Sequence, residues 1–251
     1  MRELGPPETI RRYGGRGAIS RAGHRLAAAA AALLALAVAV ASAQAFSPPS
    51  GTPDLAKMTL QPSDLARGAQ VLVSEYFPPG AGLRERAQYD RDFGAASTTS
   101  GVKLAQIQTE ITLANSTSFA KVVFSQVQGI YGANDGRATL VTSVVPPAGP
   151  LSSATLKDAK FSKLAGIGVG QQSLFESATI RSKGATLVAG FVWIRVDAAF
   201  AFLTIVAAKP SLANSVPIAI AATVAAHMKS VLAGASSSAK ASRMRLAQRA
   251  R

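Results

Sequence analysis

Residues 102–114 read VKLAQIQTEITLA, and this stretch constrains the fold more tightly than any other part of the chain. Ala105, Ile107, Thr109, Ile111 and Leu113 share one parity, while Gln106, Gln108, Glu110 and Thr112 share the other. Side chains alternate across a strand, so the pattern predicts one long strand with an apolar and a polar face. Directly after it, Asn115 and Ser116 offer helix caps, and Phe119, Val122, Val123, Val127, Ile130 and Tyr131 recur at spacings of three and four. That period predicts an amphipathic helix ending near Gly129 to Gly132.

Working outward, Ala69 to Phe77 reads as a strand with Val71 and Val73 on one face and Gln70 and Ser74 on the other, stopped by Pro78-Pro79-Gly80. Ala87 to Phe93 is a second, more polar strand. Pro146 to Pro150 is a hard break. Beyond it come a strand around Leu156 to Leu164, a turn at Gly166, Gly168 and Gly170, and runs at Gln172–Arg181, Ala185–Arg195 and Ala199–Ala207. The last two runs are apolar on both faces, which predicts central strands covered on each side. A final helix is expected from Ser215 to Leu232, with Pro217 in its first turn and Ile220, Val224, Met228 and Val231 buried. Meandering strands with helices between them predict an α+β fold: a largely antiparallel sheet packed with amphipathic helices.

The N-terminal stretch describes a route. Six Arg and two Glu within residues 1–25 precede an apolar run from Leu26 to Ala41, and Ala41-Ser42-Ala43 follows. A basic region, an apolar region and small residues at the processing positions form a secretory signal, with cleavage expected between Ala43 and Gln44. Sixteen residues, mostly alanine, fall short of the ~20 that span a bilayer comfortably; a retained anchor is the alternative. The expected organisation is therefore a signal at 1–43, a Pro/Ser-rich tether at 44–56, a single domain at 57–232 and a loose basic tail at 233–251. The expected location is outside the cytoplasmic membrane.

The formal charge of +14 sits mostly at the ends: +4 in residues 1–25, +5 in residues 233–251 and +5 in everything between. The middle shows no basic run interleaved with aromatics, so nucleic acid is not an expected partner. The tail could adhere to anionic envelope polymers or lipid headgroups.

The order of elements resembles the PsbP-like group of bacterial surface domains, which includes LpqN-type lipoproteins and the external sensor domains of mycobacterial serine/threonine kinases. The residues carrying the likeness are Leu60-Gln-Pro62-Ser63-Asp64-Leu65-Ala66-Arg67-Gly68, the helix with Phe119, Ala120 and Phe124, Gly168-Val-Gly170-Gln-Gln-Ser173, and the hairpin from Val192 to Thr204. The resemblance implies a PsbP-like sandwich with a binding or sensory role, and it supplies no catalytic residue. The kinase sensors carry disulfides, which this chain, without cysteine, cannot form.

The chemistry available is narrow. The absence of cysteine excludes thiolate zinc sites and cysteine nucleophiles. Cleavage would leave His227 as the one imidazole, placed on or beside the buried stripe of the last helix. Ser118-Phe119-Ala120-Lys121 matches Ser-x-x-Lys, but neither Ser-Asp-Asn nor Lys-Thr-Gly accompanies it, so an ordinary first helical turn is the plainer reading. Asp90-Arg91-Asp92 with Glu85 is the densest acidic cluster; it reads as a solvated strand edge neutralised by Arg84, Arg86 and Arg91. No catalytic residue, metal or cofactor is expected. If the sheet is open on its polar side, Gln106, Gln108, Glu110 and Thr112, with Arg195 as a positive anchor, would hydrogen-bond a polar ligand such as a glycan. The expected function is a noncatalytic ligand- or partner-binding protein of the cell envelope, with an envelope hydrolase as the alternative.

Overall fold

The computed structural model describes residues 46–79, 84–132, 159–182, 185–208 and 212–249. The signal segment and its expected cleavage residues Ala41, Ala43 and Gln44 lie outside the described residues, as does the Pro146–Pro150 break.

The described strands are β1 (Val71–Phe77), β2 (Glu85–Phe93), β3 (Ala96–Ser97), β4 (Lys103–Leu104), β5 (Gln106–Ala114), β6 (Lys160–Phe161), β7 (Ala165–Gly166), β8 (Gln172–Ser182), β9 (Ala185–Val196) and β10 (Ala199–Ala208). The helices are α1 (Thr117–Gly132) and α2 (Ser215–Arg249). One sheet runs β1-β2-β5-β10-β9-β8-β6, with β7 also paired to β8, and every pairing is antiparallel. β3 and β4 form a separate small hairpin. The fold is α+β with an antiparallel sheet and helices.

The two-residue period explains the layers. Ile107, Ile111, Leu113, Ala201, Leu203, Ile205, Val192 and Ile194 point to one side and join Ile220, Ala221, Val224, Ala225 and Met228 of α2 in one apolar core. On the other side Phe191, Trp193, Phe202, Val206 and Ala189 meet Phe124 and Tyr131 of α1 in a second core. β9 and β10 are thus covered on both faces, which is why they are apolar at both parities. Each large side chain buried this way contributes roughly 1.5–3 kcal/mol. Ser116 caps α1: its Oγ accepts the Phe119 amide at 3.1 Å.

Several details depart from the sequence pattern. The long strand at 102–114 is divided at Ala105, its first part pairing with β3 and the rest with β2 and β10. A β-bulge between Val71 and Val73 pairs Val71 with Phe93 but Val73 with Asp92, so the two valines lie on opposite faces rather than together. The bulge leaves Leu72 59% exposed on the edge strand, against Gly94. Of the strand expected around Leu156 to Leu164, only Lys160–Phe161 is formed among the described residues. The domain begins earlier than Lys57: Leu55 is fully buried in a 3₁₀ turn, Leu55–Lys57, and its amide donates to the Tyr76 hydroxyl at 3.0 Å. At the other end α2 does not stop at Leu232 but continues to Arg249. Its Ser215–Ser237 portion is long and apolar enough to cross a membrane by length and composition, and one of its faces packs into the first core.

Where α2 crosses the sheet, β9 must be bare. A Cβ on Gly190 would lie 2.9 Å from Pro217 Cγ and 3.2 Å from its Cβ, atoms of a rigid ring that cannot rotate away. Gly190→Val is expected to lower stability by about 1–3 kcal/mol through overpacking, measured by urea unfolding.

Candidate functional site

The face of the sheet beneath α1 divides in two. Its β8-β9-β10 half is aromatic: Tyr131 and Trp193 stand 4.1 Å apart between ring centroids, and Trp193 and Phe202 5.0 Å. Its β1-β2-β5 half is polar. Cross-strand pairing lines up Glu75, Asp90 and Glu110 in one row, Gln88 with Thr112 in the row on one side, and Asp92 with Gln108 and Thr204 in the row on the other. Residues directly opposite on antiparallel strands are neighbours, so these rows place four carboxyls within one patch of face.

This patch is not the open solvent face expected for the polar parity of β5. Gln108, Glu110 and Thr112 are buried, as is Asp90; Gln88, Asp92 and Gln106 are half-buried and Glu75 is exposed. The arrangement is a polar floor with an accessible rim toward the β1 edge. Burial raises Asp90 to about 7, with further upward pressure from the negative charges of Asp92 and Glu75; a hydrogen bond from Gln88 Nε2 at 3.4 Å opposes it. Burial raises Asp92 to about 6. Glu110 is pushed well above the usual carboxyl range by burial and then by Asp90, although Thr112 Oγ1 donates to it at 3.4 Å. Thr204, buried beside Gln108, has no hydrogen-bond partner for its hydroxyl among the described residues.

The reading of Asp90-Arg91-Asp92 as a neutralised, solvated edge is corrected here. β2 is the second strand of the sheet, and adjacent residues of a strand face opposite ways. Arg91 points to the α2 side, where it donates to Gln61 Oε1 (2.8 Å), the Tyr89 hydroxyl (3.0 Å), the Leu60 carbonyl (3.3 Å) and Ser74 Oγ (3.5 Å). It does not neutralise Asp90 or Asp92. The signal that would have found this patch is the same period of two applied to residues 85–93: Gln88, Asp90 and Asp92 share a parity that excludes Arg91.

Arg195 shares the α1 face with the polar patch, but Phe200 stands between it and Thr112 in the same row. It is buried and already engaged: Nε donates to Gln172 Oε1 at 2.5 Å, and Nη1 to Gln171 Oε1 at 2.7 Å and the Asp197 carbonyl at 3.2 Å. Gln171 also receives the Asp197 amide at 2.9 Å and donates to Asp197 Oδ1 at 2.8 Å, so the group locks the β9–β10 turn, where Asp197 adopts φ 51°. Gly170 approaches so closely that a Cβ would meet the Arg195 carbonyl at 2.9 Å. The structure therefore brings Gln106, Gln108, Glu110 and Thr112 together and gives Arg195 a separate structural employment.

Other reactive side chains are accounted for. Ser118 and Lys121 are exposed in the first turn of α1. His227 is half-buried; its Nδ1 donates to the Thr59 carbonyl at 3.0 Å and its Nε2 lies 3.8 Å from Asp64 Oδ1, tying α2 to the opening segment with both ring nitrogens. Among the described residues no group of three or more His, Asp or Glu side chains is arranged to hold a metal ion. Comparison of the chain with protein-family models, with curated proteins and with solved structures finds no match in any of the three, so the reading of the site rests on its own geometry.

Proposed function

We propose that the protein is an exported, noncatalytic binding protein of the cell envelope, built on a PsbP-like layout, and that the polar half of the α1 face takes a neutral, hydroxyl-rich ligand such as a glycan. The observation that carries the reading is the row of raised carboxyls beside amides. Near neutral pH, groups raised to about 6 and about 7 are partly protonated, and a protonated carboxyl both donates and accepts, as the Gln88, Gln106 and Gln108 amides do. Such a set suits sugar hydroxyls. Among the described residues, the paired β1, β2 and β5 positions of the three rows hold no lysine or arginine to attract an anion.

Export is supported by the basic–apolar–small pattern of residues 1–43 alone. Adhesion to anionic polymers or lipid headgroups through the C-terminal end is a weaker alternative. Its support is the sequence alone, five basic and no acidic residues in 233–251.

A second reading has a specific observation behind it. Asp90 and Glu110 are cross-strand partners with raised affinity for protons, and glycoside hydrolysis uses a pair of carboxyls of which one must hold a proton. Binding of the chain from Gln44 to an array of neutral and acidic glycans separates the possibilities. Retention of neutral glycans without release of reducing ends, weakened at least tenfold in Gln108→Ala, is the expected result. Release of reducing ends that Glu110→Gln abolishes would establish hydrolysis, and an array left empty would remove the glycan reading.

A further inference from the structure

On the opposite side of the sheet, the first turns of α2, the β3–β4 connection and the 3₁₀ turn Pro62–Asp64 enclose a groove of about 280 Å³. Its floor is aliphatic: Leu65 and Ile220, both nearly fully buried. Its rim carries hydroxyls from Thr98, Ser100 and Thr223, and one carboxylate, Asp64. Ser215, Ala219 and Thr223 follow one another at intervals of four along α2 and line the groove, and Asp64 of its rim lies 3.8 Å from His227 on the next turn.

The polar groups are held in place. Asp64 Oδ2 accepts the Gln61 amide at 2.6 Å, which fixes the carboxylate, while Oδ1 has only the longer contact of 3.8 Å with His227. The imidazole is itself anchored on the Thr59 carbonyl. Thr98 Oγ1 accepts the Val102 amide at 3.0 Å and lies 2.9 Å from Ser100 Oγ, with Gly101 at φ 86° closing the turn. Among the described residues, no lysine, arginine or aromatic residue lines the groove. An apolar floor with a few fixed polar groups is the usual build of a small-molecule site. The one charged side chain among the described lining residues is negative, which selects against anions, and the surrounding hydroxyls can accept further N–H donors.

We infer that this groove is a second binding site, separate from the polar half of the α1 face, for a small aliphatic compound carrying an ammonium group. The ammonium sits between Asp64 Oδ1 and the hydroxyls, and the aliphatic part lies on Leu65 and Ile220.

Three probes of one shape test it: cyclohexylammonium, cyclohexanol and cyclohexanecarboxylate, titrated into the full chain at neutral pH and followed by NMR of the Leu65 and Ile220 methyl groups. The ammonium is expected to bind at least tenfold more tightly than the other two. Asp64→Asn should remove that preference, and Ala219→Trp, which fills the groove from a solvent-facing position, should remove binding of all three. Asp90→Asn should leave the titrations unchanged, which separates this site from the one on the α1 face. Equal affinity for the three probes, ammonium binding unaltered in Ala219→Trp, or no shift with any probe at millimolar concentration would each overturn the inference. Because Ala219→Trp leaves the Asp64 turn intact, the test stands even if Asp64→Asn does not fold.

Discussion

Asp90→Asn is expected to make the protein more stable at pH 8, by roughly 2–4 kcal/mol, and to flatten its stability between pH 5 and pH 8. Burial and the neighbouring carboxylates raise Asp90 from 3.8 to about 7. Between those values the folded protein holds a proton that the unfolded chain has released. Stability from this group is therefore complete below 3.8 and is lost as pH rises through about 7. Asp92, raised to about 6, adds to the same slope, and Glu110 contributes in the same direction. An amide keeps the shape and carries no charge to desolvate. Urea unfolding of both proteins at pH 5 and pH 8 gives the difference directly. Subtracting the variant also cancels the general repulsion expected on acidifying a chain of formal charge +14. Equal slopes in the two proteins would mean that Asp90 is ionised and solvated in the folded state.

Trp193→Ala is expected to cost about 3–5 kcal/mol, the largest loss predicted for any single truncation here. Trp193 lies between Phe202 and Leu174 in the sheet and against Tyr131 of α1, so its removal opens a cavity where the helix meets the strands. Its indole N–H has no partner among the described residues, which means that the substitution strands no acceptor and the loss is one of packing alone. Chemical denaturation followed by far-ultraviolet circular dichroism measures it, since the variant lacks the one tryptophan. A loss under 1 kcal/mol would show that α1 is not docked on the aromatic half.

Much of this fold was legible in the sequence because period and burial agree along β5, β9, β10 and the first half of α2. Ile107, Ile111 and Leu113, on the parity expected to be apolar, lie in the core beneath α2, while Ala105 of the same parity is exposed. Legibility failed where one residue changes the register. The bulge at Leu72 carries no composition signal, and it moves Val71 and Val73 to different faces. The polar parity of β5 was legible as a row, but not as a buried one, because burial depends on the β1 and β2 strands paired beside it and on α1 above. The acidic residues of β2 were misread by counting charges along the chain: Arg91 is one residue from Asp90 and Asp92 and on the other side of a sheet. Arg195 looked available because a lone charge near a strand end is usually solvated; its partners Gln171 and Gln172 lie just before and at the start of β8, more than twenty residues earlier. His227 was expected on or beside a buried stripe and is held there by the Thr59 carbonyl, a contact of 168 residues in sequence that no local pattern encodes.

Asp90 and Glu110 are buried with no cation contacting them among the described residues, an arrangement that lowers stability and that the proposed binding role would account for. Asp90→Leu separates binding from folding, since it removes both the carboxyl and its hydrogen bond with Gln88 at the centre of the polar floor. Isothermal titration of the glycan that the array identifies, alongside urea unfolding of the same samples at pH 8, is the decisive measurement. The account predicts a variant at least as stable as the parent with affinity reduced a hundredfold or more; a variant that binds as tightly as the parent would contradict it.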